Sequence, residues 1–348
     1  MKVAPATDAD RSAWDAYVAG VPKNLPMNRY AWKEILERAY GVTTLFLAAE
    51  DEEGQVCGVL PTYMTTGFNG TEGVFSLKGG LVANNDEAAE ALVSCLESFC
   101  RERKVSSCLL TSGFVEKQTP YRPMTRNTMI MDIMASEEAQ WDALRSKTRN
   151  MLRKAVAGGL VAERGFHNLD GFYDIYASLM LDKKITLLSK GLFRALAHSL
   201  GPDAELISAK KDSRIVGGVL VLFGSEVATY PWQASAPDAH DLAPNQFLIW
   251  EALKSCRERG ISMLDMGECT VGGSVYLFKK NFGGRPLNVH YYESPPGYWA
   301  NGRKSALANG RRLTGVVAAR IASRLANNSP AWARRRVGPW IKAKGRIV

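Results

Sequence analysis

Several short stretches of the sequence carry residue types suited to chemistry. In Phe278-Lys279-Lys280-Asn281-Phe282-Gly283-Gly284 a lysine stands between two phenylalanines that would anchor its segment. A cation held in one place can stabilise developing negative charge, although an exposed strand-edge lysine, as for Lys280, is the plainer reading. Upstream, Asp265 in Leu264-Asp265-Met266-Gly267 falls at a strand end beside a glycine, and His240-Asp241 falls in a loop. Each offers a general base; a turn cap and an ordinary loop histidine are the competing readings. Gly272-Gly273 and Gly283-Gly284 let the backbone approach a ligand closely, or simply make turns. Arg145, Arg149 and Arg153 recur at every fourth residue of a helical stretch. Such a stripe can hold a phosphate or pyrophosphate, and it equally describes a solvated helix face.

Periodicity and punctuation outline the elements that must position these residues. Helices are expected over 29–40, 86–103, 141–157, 169–181, 191–200 and 245–259, and strands over 45–50, 56–64, 107–111, 129–134, 205–210, 215–223, 227–234, 262–266 and 286–293. The order repeats. Gln55-Val56-Cys57-Gly58-Val59-Leu60 and Phe99-Cys100-Arg101-Glu102-Arg103 have counterparts in Arg214-Ile215-Val216-Gly217-Gly218-Val219-Leu220 and Ser255-Cys256-Arg257-Glu258-Arg259. Pairing Gly58 with Gly218 and Cys100 with Cys256 leaves only loop lengths to differ. The sequence therefore predicts a mixed α/β domain used twice.

The 348 residues, 46% hydrophobic and 23% charged, suffice for two globular cores. Met1 to Tyr17 has the charges of a mature surface rather than of a signal peptide, and the longest apolar run, 215–224, is too short to span a bilayer. None of the six cysteines shows CxxC spacing, so reduced cytoplasmic thiols are expected and no metal. A P-loop, HExxH and GxSxG are all missing, which removes support for those phosphate-binding and hydrolase classes.

The net charge of +9 is unevenly spread. Twelve of the 44 basic residues and no acidic ones lie in 294–348, which leaves 32 basic against 35 acidic residues in the body. Within that tail, Leu307, Leu313, Val316, Val317, Ile321 and Leu325 recur at roughly helical spacing against Arg311, Arg312, Arg320 and Arg324. An interfacial helix on an anionic membrane fits this pattern. A helix packed on the body with a solvated basic face fits as well, with nucleic acid a weaker third.

The doubled unit, the basic helix Leu144-Arg145-Ser146-Lys147-Thr148-Arg149-Asn150-Met151-Leu152-Arg153-Lys154-Ala155 and the Phe-Lys-x-x-Phe-Gly segment after Leu264-Asp265-Met266-Gly267 together resemble the FemABX family of tandem GNAT-fold aminoacyl and acyl transferases. The resemblance implies a first GNAT-like domain over 1–140, a second over 141–293 and a basic amphipathic tail over 294–348 that returns to the first domain. It implies transfer of an acyl or aminoacyl group to an amine of a cell-envelope precursor of peptidoglycan or polysaccharide type. Lys279 would be the lysine held near the donor carbonyl, with Asp265 as the second catalytic candidate. Phe278, Tyr230, Lys184, Arg149, Arg153, His240, Gly272 and Gly273 would line the substrates, and Lys183 neighbours Lys184 after a helix. A charged tRNA or an acyl-CoA is the expected donor. The chain lacks both a long helical hairpin for tRNA and, before helix 245–259, the glycine turn that holds a CoA pyrophosphate, so the donor stays open. A cytoplasmic monomer, peripheral on the inner face of the membrane, completes the expectation. The alternatives are a CoA-dependent N-acyltransferase of polysaccharide or lipid modification and a non-catalytic GNAT pair that binds an envelope precursor.

Overall fold

The computed structural model describes residues 1–67, 70–183 and 185–294. Lys184 and all of the basic tail after Ser294 lie outside the described residues. Two compact units are present, each discontinuous along the chain: among the described residues one holds Met1–Arg126, 185–195 and Val289–Ser294, the other Asn127–Lys183 and Leu196–Asn288. The boundary expected near residue 140 falls earlier: the first unit's opening segment ends at Arg126 and the second unit begins at Asn127.

The first repeat runs β1 (Lys2–Pro5), α1 (Arg11–Gly20), α2 (Trp32–Tyr40), β2 (Thr43–Glu50), β3 (Val56–Thr66), β4 (Glu72–Ser76), β5 (Val82–Ala83), α3 (Asp86–Glu102) and β6 (Ser107–Gly113). After β7 (Arg122–Asp132) and α4 (Glu137–Ala143), the second runs α5 (Ser146–Ala157), β8 (Leu160–Arg164), α6 (Leu169–Asp182), α7 (Lys190–Leu200), β9 (Ala204–Lys211), β10 (Arg214–Phe223), β11 (Val227–Ser235), α8 (Pro244–Glu258) and β12 (Met263–Glu268), followed by α9 (Ser274–Asn281) and β13 (Arg285–Ser294). From β1 to β6 and from β8 to β12 the elements correspond one to one, with β4 and β5 together matching β11.

Pairing repeats as well. β1 to β4 are joined antiparallel and β4 lies parallel to β6; β8 to β11 are antiparallel and β11 lies parallel to β12. The end of β13 adds to β6 in the first unit, and β7 adds to β12 in the second. Each unit buries one central helix on its sheet. Leu92, Val93 and Leu96 of α3 meet Leu45, Leu60, Val74 and Leu110, and Phe247, Leu248 and Leu253 of α8 meet Ile207, Val219, Val221 and Leu264. Helix α3 starts cleanly because Asn85 accepts the Ala88 N–H at 2.9 Å and Asp86 and Glu87 follow in the first turn.

Three expectations change. The helix expected over 141–157 is two helices, because Leu144 and Arg145 are extended, with ψ of 144° and 146°, and Leu144 turns into the core. The lysine segment, for which a strand edge was the plainer reading, is the helix α9. Finally, the partner of Gly58 is Gly217 rather than Gly218. Both strands carry a register shift one residue before the glycine, so that Gly58 faces Ala49 and Gly217 faces Ala209.

Candidate active site

The regular sheet breaks on both sides of one residue. Strand β12 follows β11 only from Val227↔Met263 to Thr229↔Asp265. Beyond that pair β11 bulges, the register moving between Leu222↔Thr229 and Leu220↔Trp232. Pro231 sits in the bulge, where its missing N–H costs no ladder bond. On its other edge β12 loses register against β7 between Asp265↔Ile130 and Glu268↔Thr128. Gly267 makes the turn at that break, with φ +84°, a conformation that favours glycine.

The side chains gathered there belong to four elements. Asp265 is fully buried, and its Oδ1 accepts hydrogen bonds from the Thr128 hydroxyl of β7 and from the Gly267 N–H at 2.8 Å. The carbonyl of the same Gly267 accepts the Lys279 Nζ at 2.8 Å. Tyr230 is buried beside them; burial first, then Asp265 and Cys269, push its phenol well above the usual tyrosine range. It therefore acts as an O–H group at physiological pH.

The Phe-Lys-x-x-Phe-Gly segment is the device that delivers the lysine. Phe282, with 1% of its surface exposed, pins the C-terminal end of α9 in the core, and Phe278 packs against the same core at its edge. Gly283, with φ +105°, carries the chain past the helix end. Gly284 lies so close that a Cβ would meet the Lys279 carbonyl at 2.9 Å. Arg145, just before α5, donates to the Asn281 side chain at 2.9 Å, and Thr148 of α5 to its backbone carbonyl at 3.0 Å. Lys279 consequently points inward with only 6% exposure, and the Gly267 carbonyl offsets part of the cost of burying its ammonium.

Other expected site residues lie differently. Arg149 donates to the carbonyls of Trp141 and Asp142 at the end of α4, and Arg153 bonds Asn150 and lies over the Trp141 ring at 5.3 Å. The arginine stripe thus has partners within its own unit, and Arg145 stands before the helix rather than on it. His240 is exposed on the short turn Pro237–Leu242. Gly272, with φ +79°, forms the turn ahead of α9 and Gly273 caps that helix. Lys183 is exposed at the end of α6. Sequence reading missed Thr128 and the Gly267 peptide, and undervalued Cys269; only the adjacency of Asp265 and Gly267 carried a hint.

In the first repeat the corresponding place is filled. Thr111, counterpart of Gly267, receives the Gly79 N–H on its hydroxyl at 2.6 Å, donates that hydroxyl to the Leu77 carbonyl at 2.9 Å, and takes the Leu81 N–H on its own carbonyl at 2.7 Å. Segment 77–81, two residues longer than its counterpart in β11, stitches that sheet shut. A cavity of 430 Å³ in the first unit, beside β1, α1 and the β2–β3 turn, is lined by alanines together with Lys2, Asp10, Trp14, Tyr17 and Glu50. Among the described residues no group of three or more His, Cys, Asp or Glu could hold a metal ion, and no helix is long and apolar enough to cross a membrane.

Residues 142–279 match the acetyltransferase (GNAT) domain family. No curated protein matches the chain. Among solved structures it is similar to FemX, with a TM-score of 0.67 at 17% identity over 86% of this chain and 99% of that one. It is also similar to a tandem GNAT protein from the clavulanic acid biosynthesis pathway, with a TM-score of 0.55 at 12% identity over 84% and 98%. The C-terminal domain of a putative lysylphosphatidylglycerol synthetase from Agrobacterium fabrum gives 0.55 at 12% over 86% and 96%. Residues 142–279 are therefore a GNAT domain. With its doubled element order, the whole chain has a tandem GNAT-like fold similar to that of FemX.

Proposed function

We propose that the chain transfers an acyl or aminoacyl group to an amine of a cell-envelope precursor of peptidoglycan or polysaccharide type. The observation that carries this reading is Lys279, buried by the Phe278–Gly284 segment and hydrogen-bonded to Gly267 where β11 and β12 part. A neutral amine nitrogen attacks the acyl carbonyl, a C–N bond forms, and the C–O bond of a charged tRNA or the C–S bond of a thioester breaks, the leaving hydroxyl or thiol ending with the proton that the nitrogen releases. The carbonyl oxygen carries negative charge in between, and the Lys279 ammonium stabilises it. Such donors are worth about two to three orders of magnitude in turnover when positioned in a water-poor site.

The FemX-like fold supports the envelope acceptor, and on this first reading the donor is a charged tRNA. The acetyltransferase family match over 142–279 favours the second reading, an acyl-CoA-dependent N-acyltransferase of polysaccharide or lipid modification. On either reading the basic segment 294–348 draws a cytoplasmic enzyme to the anionic inner face of the membrane. Incubating the protein with labelled aminoacyl-tRNA or acyl-CoA and amine-bearing envelope precursors separates the two donors. Label must appear on the acceptor amine with one donor class; transfer with neither defeats the proposal and leaves a binding protein.

A further inference from the structure

We propose that Thr128 and Asp265 are positioning residues for Lys279, acting through the Gly267 peptide, and that Asp265 is not the general base. This rests on the transferase reading for its kinetic consequence, though not for its geometry. Four groups form one chain of hydrogen bonds: the Thr128 hydroxyl to Asp265 Oδ1, the Gly267 N–H to the same Oδ1 at 2.8 Å, and Lys279 Nζ to the Gly267 carbonyl at 2.8 Å. A base must meet the amine it deprotonates, whereas Asp265 has 0% exposure and its Oδ1 already serves two donors.

What Asp265 does hold is a glycine. Gly267 has the freedom of φ +84°, and without a constraint its peptide could turn its carbonyl away. Asp265 fixes the peptide plane that carries the Gly267 N–H, and the pairing of Glu268 with Thr128 holds the next residue, so that the carbonyl between them stays aimed at the lysine. Thr128, also fully buried, fixes the carboxyl in turn, from a strand that meets β12 at Glu268 just past the irregular stretch. The ammonium is thus aligned by main chain whose conformation is set by two side chains that do not touch the reacting atoms. Small losses of alignment lower the rate of the chemical step and leave substrate binding as it was.

Thr128→Val keeps the shape and removes only the hydroxyl, and Thr128→Ser restores it. In the variant kcat should fall about tenfold, the loss of one hydrogen bond to a charged group, with KM for donor and acceptor unchanged, and Thr128→Ser should return to within about twofold of wild type. Amine labelling with acetic anhydride, read by mass spectrometry as the Lys279 to Lys280 ratio, tests the geometry without any substrate. Thr128→Val and Asp265→Asn should raise that ratio several-fold. In the wild-type protein the Gly267 amide should be protected from hydrogen exchange, a measurement that needs no variant to fold. An unchanged labelling ratio in folded Thr128→Val, or a Gly267 amide exchanging as freely as in an unstructured peptide, overturns the proposal. Absence of transfer by the wild type, with labelling and exchange as expected, would instead defeat the transferase reading alone.

Discussion

Cys100 and Cys256 occupy the same place in the two repeats: each ends its central helix by giving its carbonyl to the amide five residues on, Val105 at 2.8 Å and Ile261 at 3.0 Å. The next residue but three is left-handed in both, Lys104 at φ +56° and Gly260 at φ +71°. Then Ser106 and Ser262 donate their N–H groups to Glu72 and Glu226 at 2.9 and 3.0 Å. Two equivalent bonds with a left-handed residue at the same place are hard to obtain from unrelated segments, and they mark the doubling more securely than the shared Cys-Arg-Glu-Arg letters.

One consequence is an asymmetry in backbone strain. Lys104 pays about 1 kcal/mol for a conformation that glycine adopts freely. Lys104→Gly should raise the thermal midpoint slightly, while Gly260→Ala should lower it by a similar amount. Paired melting curves check both; a stabilised Gly260→Ala would contradict the equivalence.

A second consequence concerns register. A Cβ on Gly58 would meet Leu92 of α3 at 3.0 Å and the Val82 carbonyl at 3.3 Å, and one on Gly217 would meet the Ala234 carbonyl at 3.0 Å and Leu248 of α8 at 3.2 Å. Alanine at either position should cost about 1–3 kcal/mol through overpacking, measured by denaturant unfolding. No loss at Gly217 would return the pairing to Gly218, whose Cβ would instead meet Phe172.

The element order, the mixed sheets and the central helices were legible because alternation and helical spacing report burial directly. Gly58 was matched one residue out because Gly217-Gly218 offers two letters and the register shift that decides between them lies in the ladder. The site was half legible. Lys279 and Asp265 stand in recognisable segments, but Thr128 joins them across 137 residues through strand pairing, which no local pattern encodes. The arginine stripe is interrupted because Leu144 and Arg145 break the helix, so that Arg145 turns to Asn281 and Arg149 to the end of α4.

Thiol chemistry follows from burial. Desolvation pushes Cys256 up to about 12, and burial raises Cys95, while the Cys108 thiol donates to Cys100 and lowers it. Because the thiolate is the nucleophile, iodoacetamide on the native protein should mark Cys100 before Cys95 and leave Cys256 untouched until the fold is lost. Mass mapping at short times decides; early labelling of Cys256 would contradict the buried helix.

For the basic segment, each Lys or Arg near an anionic bilayer contributes about 1 kcal/mol, screened within about 8 Å at physiological salt. Charge reversal at Arg311, Arg312, Arg320 and Arg324 should sharply reduce co-sedimentation with anionic vesicles, as should high salt, and neutral vesicles should bind little wild type. Equal sedimentation of variant and wild type would remove the membrane from the account.

The most direct test of the central claim is turnover by Lys279→Ala, measured on the acceptor amine with whichever labelled donor the wild type uses. The account predicts a fall of about a hundredfold or more, with donor and acceptor binding and the melting temperature close to wild type. Activity within a few-fold of wild type in that folded variant would contradict it and take Lys279 out of the chemistry.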